Sequence, residues 1–365
     1  MTSQPAVPGQ RRALRAGVIG LGAGRAHMAG YVAADGVELV AIAGKEKARL
    51  TALADELHVP HTFEDWQDLV ARDDIDVVSV ATPNFLHAPV TIGALEAGKH
   101  VLCEKPLSVN AEDASRMVEA ATAAGRVLEV AFNFRRRGDI STLRRILDTG
   151  ELGRIYHAKA SWLRRSGIPG AGSWFTNRQM AGGGPLIDLG VHVLDLALYL
   201  MDEPRVRSVT AATYHELGAR YLGRATSDRE RFGAGGGYDV EDLASAFLRL
   251  DGGATLRLEA AWAHFGKANE DIEIELLGTR GGAQILIRDY ADADTLRVFT
   301  DIAGQPATTS PRTDRSRGHA GVVADFVDVV RSGAWSDHVG LDGLRRARII
   351  DACYTSARDG REVAL

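Results

Sequence analysis

The stretch GVIGLGAGRAH, Gly17 to His27, limits the fold more than any other part of the chain. An apolar β-type run passes straight into Gly20, Gly22 and Gly24 and then into a helical pattern, with no residues left for a loop. Glycines at such a junction allow a tight turn and let backbone N–H groups approach a diphosphate, whose charge the helix N-terminus favours. The third fingerprint position, usually Gly or Ala, is Arg25. The backbone of Gly20, Gly22, Ala23, Gly24 and Arg25 is therefore the expected dinucleotide turn, with a bare structural turn as the alternative.

The rhythm that starts there continues. Strands are expected at Ala16 to Gly20, Glu38 to Ala43, Asp76 to Ala81, His100 to Cys103 and Val127 to Ala131. Helical patterns lie between them at Arg25 to Ala34, Lys45 to His58, Leu86 to Ala97 and Ala111 to Ala124. Asn110 suits the N-cap of the last helix, with Gly125 just past its end. Alternation of this kind predicts βαβ units and a parallel α/β sheet over residues 13–135, behind a flexible tail at 1–12.

After Arg137 the pattern changes. β-type runs follow one another at Arg154 to Trp162, Arg205 to Thr213, Leu243 to Leu250, Ala254 to Trp262, Asp271 to Leu277 and Ala283 to Ile287. They predict an α+β domain over 136–365, built on an open, largely antiparallel mixed sheet. Helices are expected near Ser141 to Asp148, Pro185 to Met201, Val322 to Ser332 and Leu341 to Ala357, and the Gly-rich stretch from Gly218 to Gly237 reads as a loop. With 365 residues the chain has the length of two domains, and a cleft between them is the default site.

Chemistry gathers at the strand ends. The second strand ends in Gly44-Lys45, where an acid that binds the ribose hydroxyls is usual. Lys45, Lys47 or Arg49 would suit a 2′-phosphate, which leans the choice toward NADP; the alternative is a ribose held by Glu46 with NAD. Thr82, Pro83 and Asn84, with His87 one turn on, follow the third predicted strand at the carboxyl edge, where open α/β sheets bind ligands. HVLCEKP ends at the same edge, so Glu104 and Lys105 stand at the cleft, with a solvated loop lysine as the alternative.

The helix in GGGPLIDLGVHVLDLALYLM is too apolar to lie on the surface, so its ionisable residues need partners or a cavity. Asp188 and His192 are one turn apart, with Asp195 and Tyr199 continuing that face. Asp188 is expected to orient His192 and support its charged form. In SWLRRSGIPGAGSWF, Trp162 and Trp174 offer flat faces for a sugar ring and Arg164 a donor for hydroxyls, although core packing and solvation suit the same residues.

The glycine turn, Thr82-Pro83-Asn84-x-x-His87, Glu104-Lys105-Pro106 and Gly183-Gly184…Asp188-x-Gly190-x-His192, in this order, resemble the Gfo/Idh/MocA oxidoreductases over nearly the whole chain. The resemblance implies a Rossmann domain joined to an α+β domain, a nicotinamide cofactor, and a sugar, polyol or inositol-like alcohol as substrate. It implies assembly into homodimers or homotetramers through the flat sheet face. Lys105, Asp188 and His192 match the family's catalytic trio, and Glu104, Lys105 and Asn133 complete the cofactor-facing set. Members differ over whether the lysine or the histidine carries the proton. A glycosidase that oxidises its sugar transiently and a sensor without turnover are the competing functions on this fold.

Net charge is −5 with no basic block, which argues against nucleic acid. No apolar run reaches the roughly 20 residues that span a membrane, so a cytoplasmic protein is expected. Arg11-Arg12 precede a stretch better used as the first strand than as an export signal. Cys103 and Cys353 form neither a disulfide framework nor a metal cluster, and no metal is expected.

Overall fold

The computed structural model describes residues 12–170, 172–221, 237–266 and 269–365; the expected tail, apart from Arg12, and most of the Gly-rich loop lie outside them. The first sheet contains β1 (Leu14–Ile19), β2 (Val37–Ala43), β3 (His61–Phe63), β4 (Val77–Val80), β5 (His100–Cys103) and β6 (Leu128–Val130). Their order is β3-β2-β1-β4-β5-β6, parallel throughout, so the connection direction reverses between β1 and β4. Ligands of open α/β sheets bind at that reversal. The connecting helices are α1 (Gly24–Ala33), α2 (Lys47–Leu57), α3 (Trp66–Val70), α4 (His87–Glu96) and α5 (Ala111–Ala124). Asn110 caps α5 by accepting from the Asp113 N–H at 2.8 Å, and Gly125 ends it in the left-handed conformation. The three-residue β3 and five-residue α3 are missing from the sequence reading, being too short to show a period.

Beyond α6 (Gly138–Asp148), the second sheet has nine strands: β7 (Ile155–Arg164), β8 (Val206–Tyr214), β9 (Leu243–Leu250), β10 (Thr255–Ala261), β11 (Glu270–Gly278), β12 (Gly282–Arg288), β13 (Leu296–Ile302), β14 (Gln305–Thr309) and β15 (Val363–Ala364). Their order is β14-β13-β12-β11-β7-β10-β9-β8-β15, and among the described residues β7 with β10 is the one parallel pair. Strands β13 and β14 also escaped the sequence reading: they form an exposed edge hairpin, so Arg297, Asp301 and Gln305 are not selected for burial.

One face of this sheet is covered by α8 (Val191–Leu200), which with a π-helical entry at Leu186–Gly190 fills the helix expected from Pro185 to Met201, and the short α7 (Arg178–Ala181) precedes it. Small residues on the covered face, Ala158 and Ala160 of β7 and Ala260 of β10, are almost wholly buried and let α8 lie close. The segment Arg178–Leu200 is long and apolar enough to cross a membrane, yet 89% of its apolar 18-residue window is buried in this core, the ordinary place for such a helix. A short α9 (Gly218–Tyr221) precedes the undescribed part of the loop, and α10 (Gly318–Ser332) and α11 (Leu341–Asp359) close the chain. Val323, Phe326 and Val327 of α10 return to the first sheet and share a core with Val18, Met28 and Tyr31. Both cysteines are buried thiols; burial pushes Cys353 up to about 12.

Candidate active site

The glycine turn is shaped for an approaching backbone partner. Gly20 has φ +101° and a Cβ there would lie 2.1 Å from the Ala81 carbonyl oxygen, so only glycine lets β1 end this close to β4. A Cβ on Gly22 would meet nothing within 4 Å, which leaves its backbone open to a ligand. Ala23 is the N-cap of α1, and Arg25 turns away to pair with Glu56 at 2.6 Å, so its departure from the fingerprint does not obstruct the turn. Gly44 replaces the usual acid for a packing reason: a Cβ there would lie 2.5 Å from Leu21 Cγ. The lysines that favoured a 2′-phosphate are partnered, Lys45 by Asp65 and Lys47 by Glu64 at 2.8 Å.

At the next strand end, Thr82 Oγ1 is buried without a hydrogen-bond partner among the described residues, which fits a group that a bound cofactor would satisfy. Pro83 leads into the turn at Asn84–Leu86, and Asn84 Nδ2 donates to the Ala181 carbonyl at 2.9 Å, tying this edge to α7. His87 corrects the sequence reading. Its ring nitrogens face the carbonyls of Pro106 at 2.7 Å and Thr82 at 2.9 Å, so it braces two loops and has no nitrogen left for a cofactor. Asn133 opens the turn after β6, half-buried, and its side chain makes no hydrogen bond among the described residues.

Lys105 and Asp188 meet, a contact the one-turn spacing of Asp188 and His192 did not suggest. Lys105 Nζ donates to Asp188 Oδ1 at 3.0 Å and to its carbonyl at 3.1 Å, and the Lys105–Pro106 peptide is cis. The other oxygen, Asp188 Oδ2, accepts from Trp262 Nε1 at 2.9 Å. Burial pushes this carboxyl up, but Lys105, Arg164 and the two hydrogen bonds outweigh it and hold Asp188 below its ordinary range. The expected Asp188–His192 bond is absent. A buried carboxylate is better served by an ammonium and an indole N–H than by a neutral imidazole, so Asp188 orients Lys105 instead.

His192 makes no hydrogen bond among the described residues, and its Nδ1 is buried without a partner. Its ring lies 5.0 Å from that of Phe134 and 5.4 Å from that of Trp162. Burial and the charge of Lys105 lower its pKa well below the usual value, so the imidazole is neutral rather than charged as expected. Asp195 and Tyr199 do not extend the site. Asp195 accepts from Arg135 at 2.5 Å and Arg346 at 2.9 Å, while Tyr199 lies under the Arg135 and Arg144 guanidiniums.

Glu104 is also corrected. It does not face the cofactor side but is buried, its Oε1 accepting from His27 at 2.9 Å and His319 at 3.1 Å. Trp162 is core: its ring is edge-on to Phe134 and its Nε1 donates to Glu270 at 2.8 Å. Arg164 lies over the Trp162 ring and is held by Glu270 at 2.7 Å and the Tyr290 hydroxyl at 2.8 Å. Trp174 stacks on Phe175 at 3.8 Å, and no contact joins it to the trio among the described residues. Trp262, Glu270, Tyr290 and Phe134, which contact Asp188, Arg164 and His192, were missed because each comes from a separate strand or turn and shares no motif.

Two family models match the chain in sequence: "Oxidoreductase family, NAD-binding Rossmann fold" over residues 14–132 and "GFO/IDH/MocA C-terminal domain" over 140–284. The D-glucoside 3-dehydrogenase of Escherichia coli K12 is 32% identical, covering 100% of this chain and 99% of its own. A levoglucosan dehydrogenase from Pseudarthrobacter phenanthrenivorans is 31% identical over 93% of this chain and 87% of its own. A solved levoglucosan dehydrogenase in complex with NADH and levoglucosan superposes with a TM-score of 0.83 at 27% identity, covering 96% of this chain and 99% of that one. With both domains matched in order and the relatives aligned over almost their full length, the glycine turn and the Lys105–Asp188 pair have one setting: this protein belongs to the Gfo/Idh/MocA oxidoreductases.

Proposed function

We propose that this enzyme is an NAD(H)-dependent dehydrogenase that oxidises a ring secondary hydroxyl of a glucose-type pyranoside. The observation that carries the reading is a buried His192 whose Nδ1 has no hydrogen-bond partner among the described residues, together with a Lys105 amine anchored on Asp188. Backbone at Gly20 and Gly22, Thr82 Oγ1 and Asn133 would hold the nicotinamide cofactor, which supplies the hydride acceptor when bound. Lys105 Nζ, anchored by Asp188, donates to the reacting oxygen and stabilises negative charge as it develops. His192 takes the hydroxyl proton on its imidazole, for which it must start neutral. In reduction the same two groups run in reverse. Similarity to a glucoside and a levoglucosan dehydrogenase supports a pyranoside over an inositol.

Because Asp65 and Glu64 neutralise the two lysines near Gly44, the reading favours NAD⁺, by about tenfold or more in Kd over NADP⁺. Calorimetry with both cofactors, then reduced-nicotinamide absorbance with methyl glucosides, levoglucosan and myo-inositol, tests both parts. Tighter NADP⁺ binding overturns the cofactor choice, and a fixed cofactor with no net reduction on any pyranoside overturns the dehydrogenase. Assembly is assigned to the open sheet face, where Lys159, Arg257 and Phe247 lie side by side and exposed. A monomer mass in sedimentation equilibrium would refute that assignment.

A further inference from the structure

Glu104 is 6% exposed and sits immediately before the lysine that holds the substrate oxygen. Its Oε2 accepts from the backbone N–H of Lys105 at 3.1 Å, so a shift of this carboxylate is passed to the lysine directly. Its Oε1 is gripped from two sides, by His27 Nε2 of α1 at 2.9 Å and His319 Nε2 at the start of α10 at 3.1 Å. His27 is itself fixed, its Nδ1 lying 3.0 Å from Ser79 Oγ in β4, which lies 2.9 Å from the Tyr31 hydroxyl. One set of protons satisfies the whole chain: Tyr31 donates to Ser79, Ser79 to His27 Nδ1, and His27 Nε2–H to Glu104.

This is more than a buried ion needs for solvation. It joins the helix that follows the cofactor turn, the strand end that carries Lys105, and a segment more than 200 residues further along the chain. The three ligand atoms lie within 4.8 Å of one another, a spacing a divalent cation also accepts. Each already has a protein partner, however, which favours a hydrogen-bonded clamp.

We propose that Glu104 is a positioning residue for Lys105, and that His319, arriving from the far end of the chain, completes the clamp that sets the lysine amine against Asp188. This rests on the dehydrogenase reading for its consequence in turnover, but the geometry can be tested without it. The His319 side chain is 28% exposed, so its replacement leaves the core intact. The measurement is the acetylation rate of Lys105 by an N-hydroxysuccinimide ester, read by peptide mass spectrometry, with exposed Lys47 as internal control. His319→Ala is expected to raise labelling of Lys105 about three- to tenfold at unchanged Lys47 labelling, as the amine spends less time on Asp188. His319→Gln keeps an N–H donor of similar reach and returns the rate to within about twofold of the parent.

In turnover His319→Ala lowers kcat about tenfold with the pyranoside KM within about twofold, the split expected when orientation and not binding is lost. Unchanged Lys105 labelling in His319→Ala, or a glutamine variant as reactive as the alanine one, overturns the clamp. Absence of pyranoside oxidation by the parent enzyme overturns the dehydrogenase reading instead, and leaves the labelling ratio to decide the clamp.

Discussion

Lys105→Ala is expected to lower kcat by about 10²- to 10⁴-fold, the range for removing a positioned donor or proton-transfer group. Loss of stability should accompany it. The Lys105 and Asp188 side chains are only 18% and 16% exposed, and the alanine variant leaves the carboxylate with Trp262 and the more distant Arg164. Breaking a pair this buried costs about 3–5 kcal/mol. Adding Asp188→Asn removes the stranded charge, so the double variant regains most of the melting temperature and none of the turnover. Thermal denaturation and steady-state kinetics on the four-member cycle separate the two effects. Turnover in Lys105→Ala within tenfold of the parent would end its assigned role.

His192→Asn carries a comparable expected loss of about 10²- to 10⁴-fold in kcat, because His192 Nδ1 is the buried ring nitrogen left without a hydrogen-bond partner among the described residues. The pH profile gives a sharper test. Burial, then the Lys105 charge, lowers the His192 pKa well below 6.5, so the base is already in its working form at neutral pH. Oxidative kcat/KM should therefore stay level as pH falls past the ordinary imidazole range, with its acid limb well below 6.5. The sign for stability follows. In the unfolded chain this imidazole takes up a proton near 6.5 and in the fold it does not, so the unfolded state binds more protons as pH drops below 6.5. Folding stability falls on acidification through that window, and His192→Asn removes this contribution. An acid limb at 6.5 or above would mean a charged, Asp188-supported histidine, as the one-turn spacing first suggested, and would reject the assignment.

Much of this enzyme is legible in its sequence where the physics is local. Gly20 must be glycine because its backbone turns at positive φ against the Ala81 carbonyl, and that need is visible as a glycine between a strand and a helix. The alternation of β- and α-patterns specifies the parallel sheet, and succession without helices specifies the antiparallel one, because each element must bury one face at its own period. Lys105 and His192 drew attention for a related reason: an ionisable side chain placed against apolar surroundings is costly unless it is partnered or used.

Tertiary structure alone decided which partner each charged group takes. Asp188 is one turn from His192 in sequence, yet it bonds to Lys105, which is 83 positions away, because a buried carboxylate needs a full positive charge nearby. Glu104 turns from the cleft because two histidines, from opposite ends of the chain, meet it in the interior. Local spacing determines which residues share a face; which of them share a proton or a charge depends on distances that only the packed chain sets.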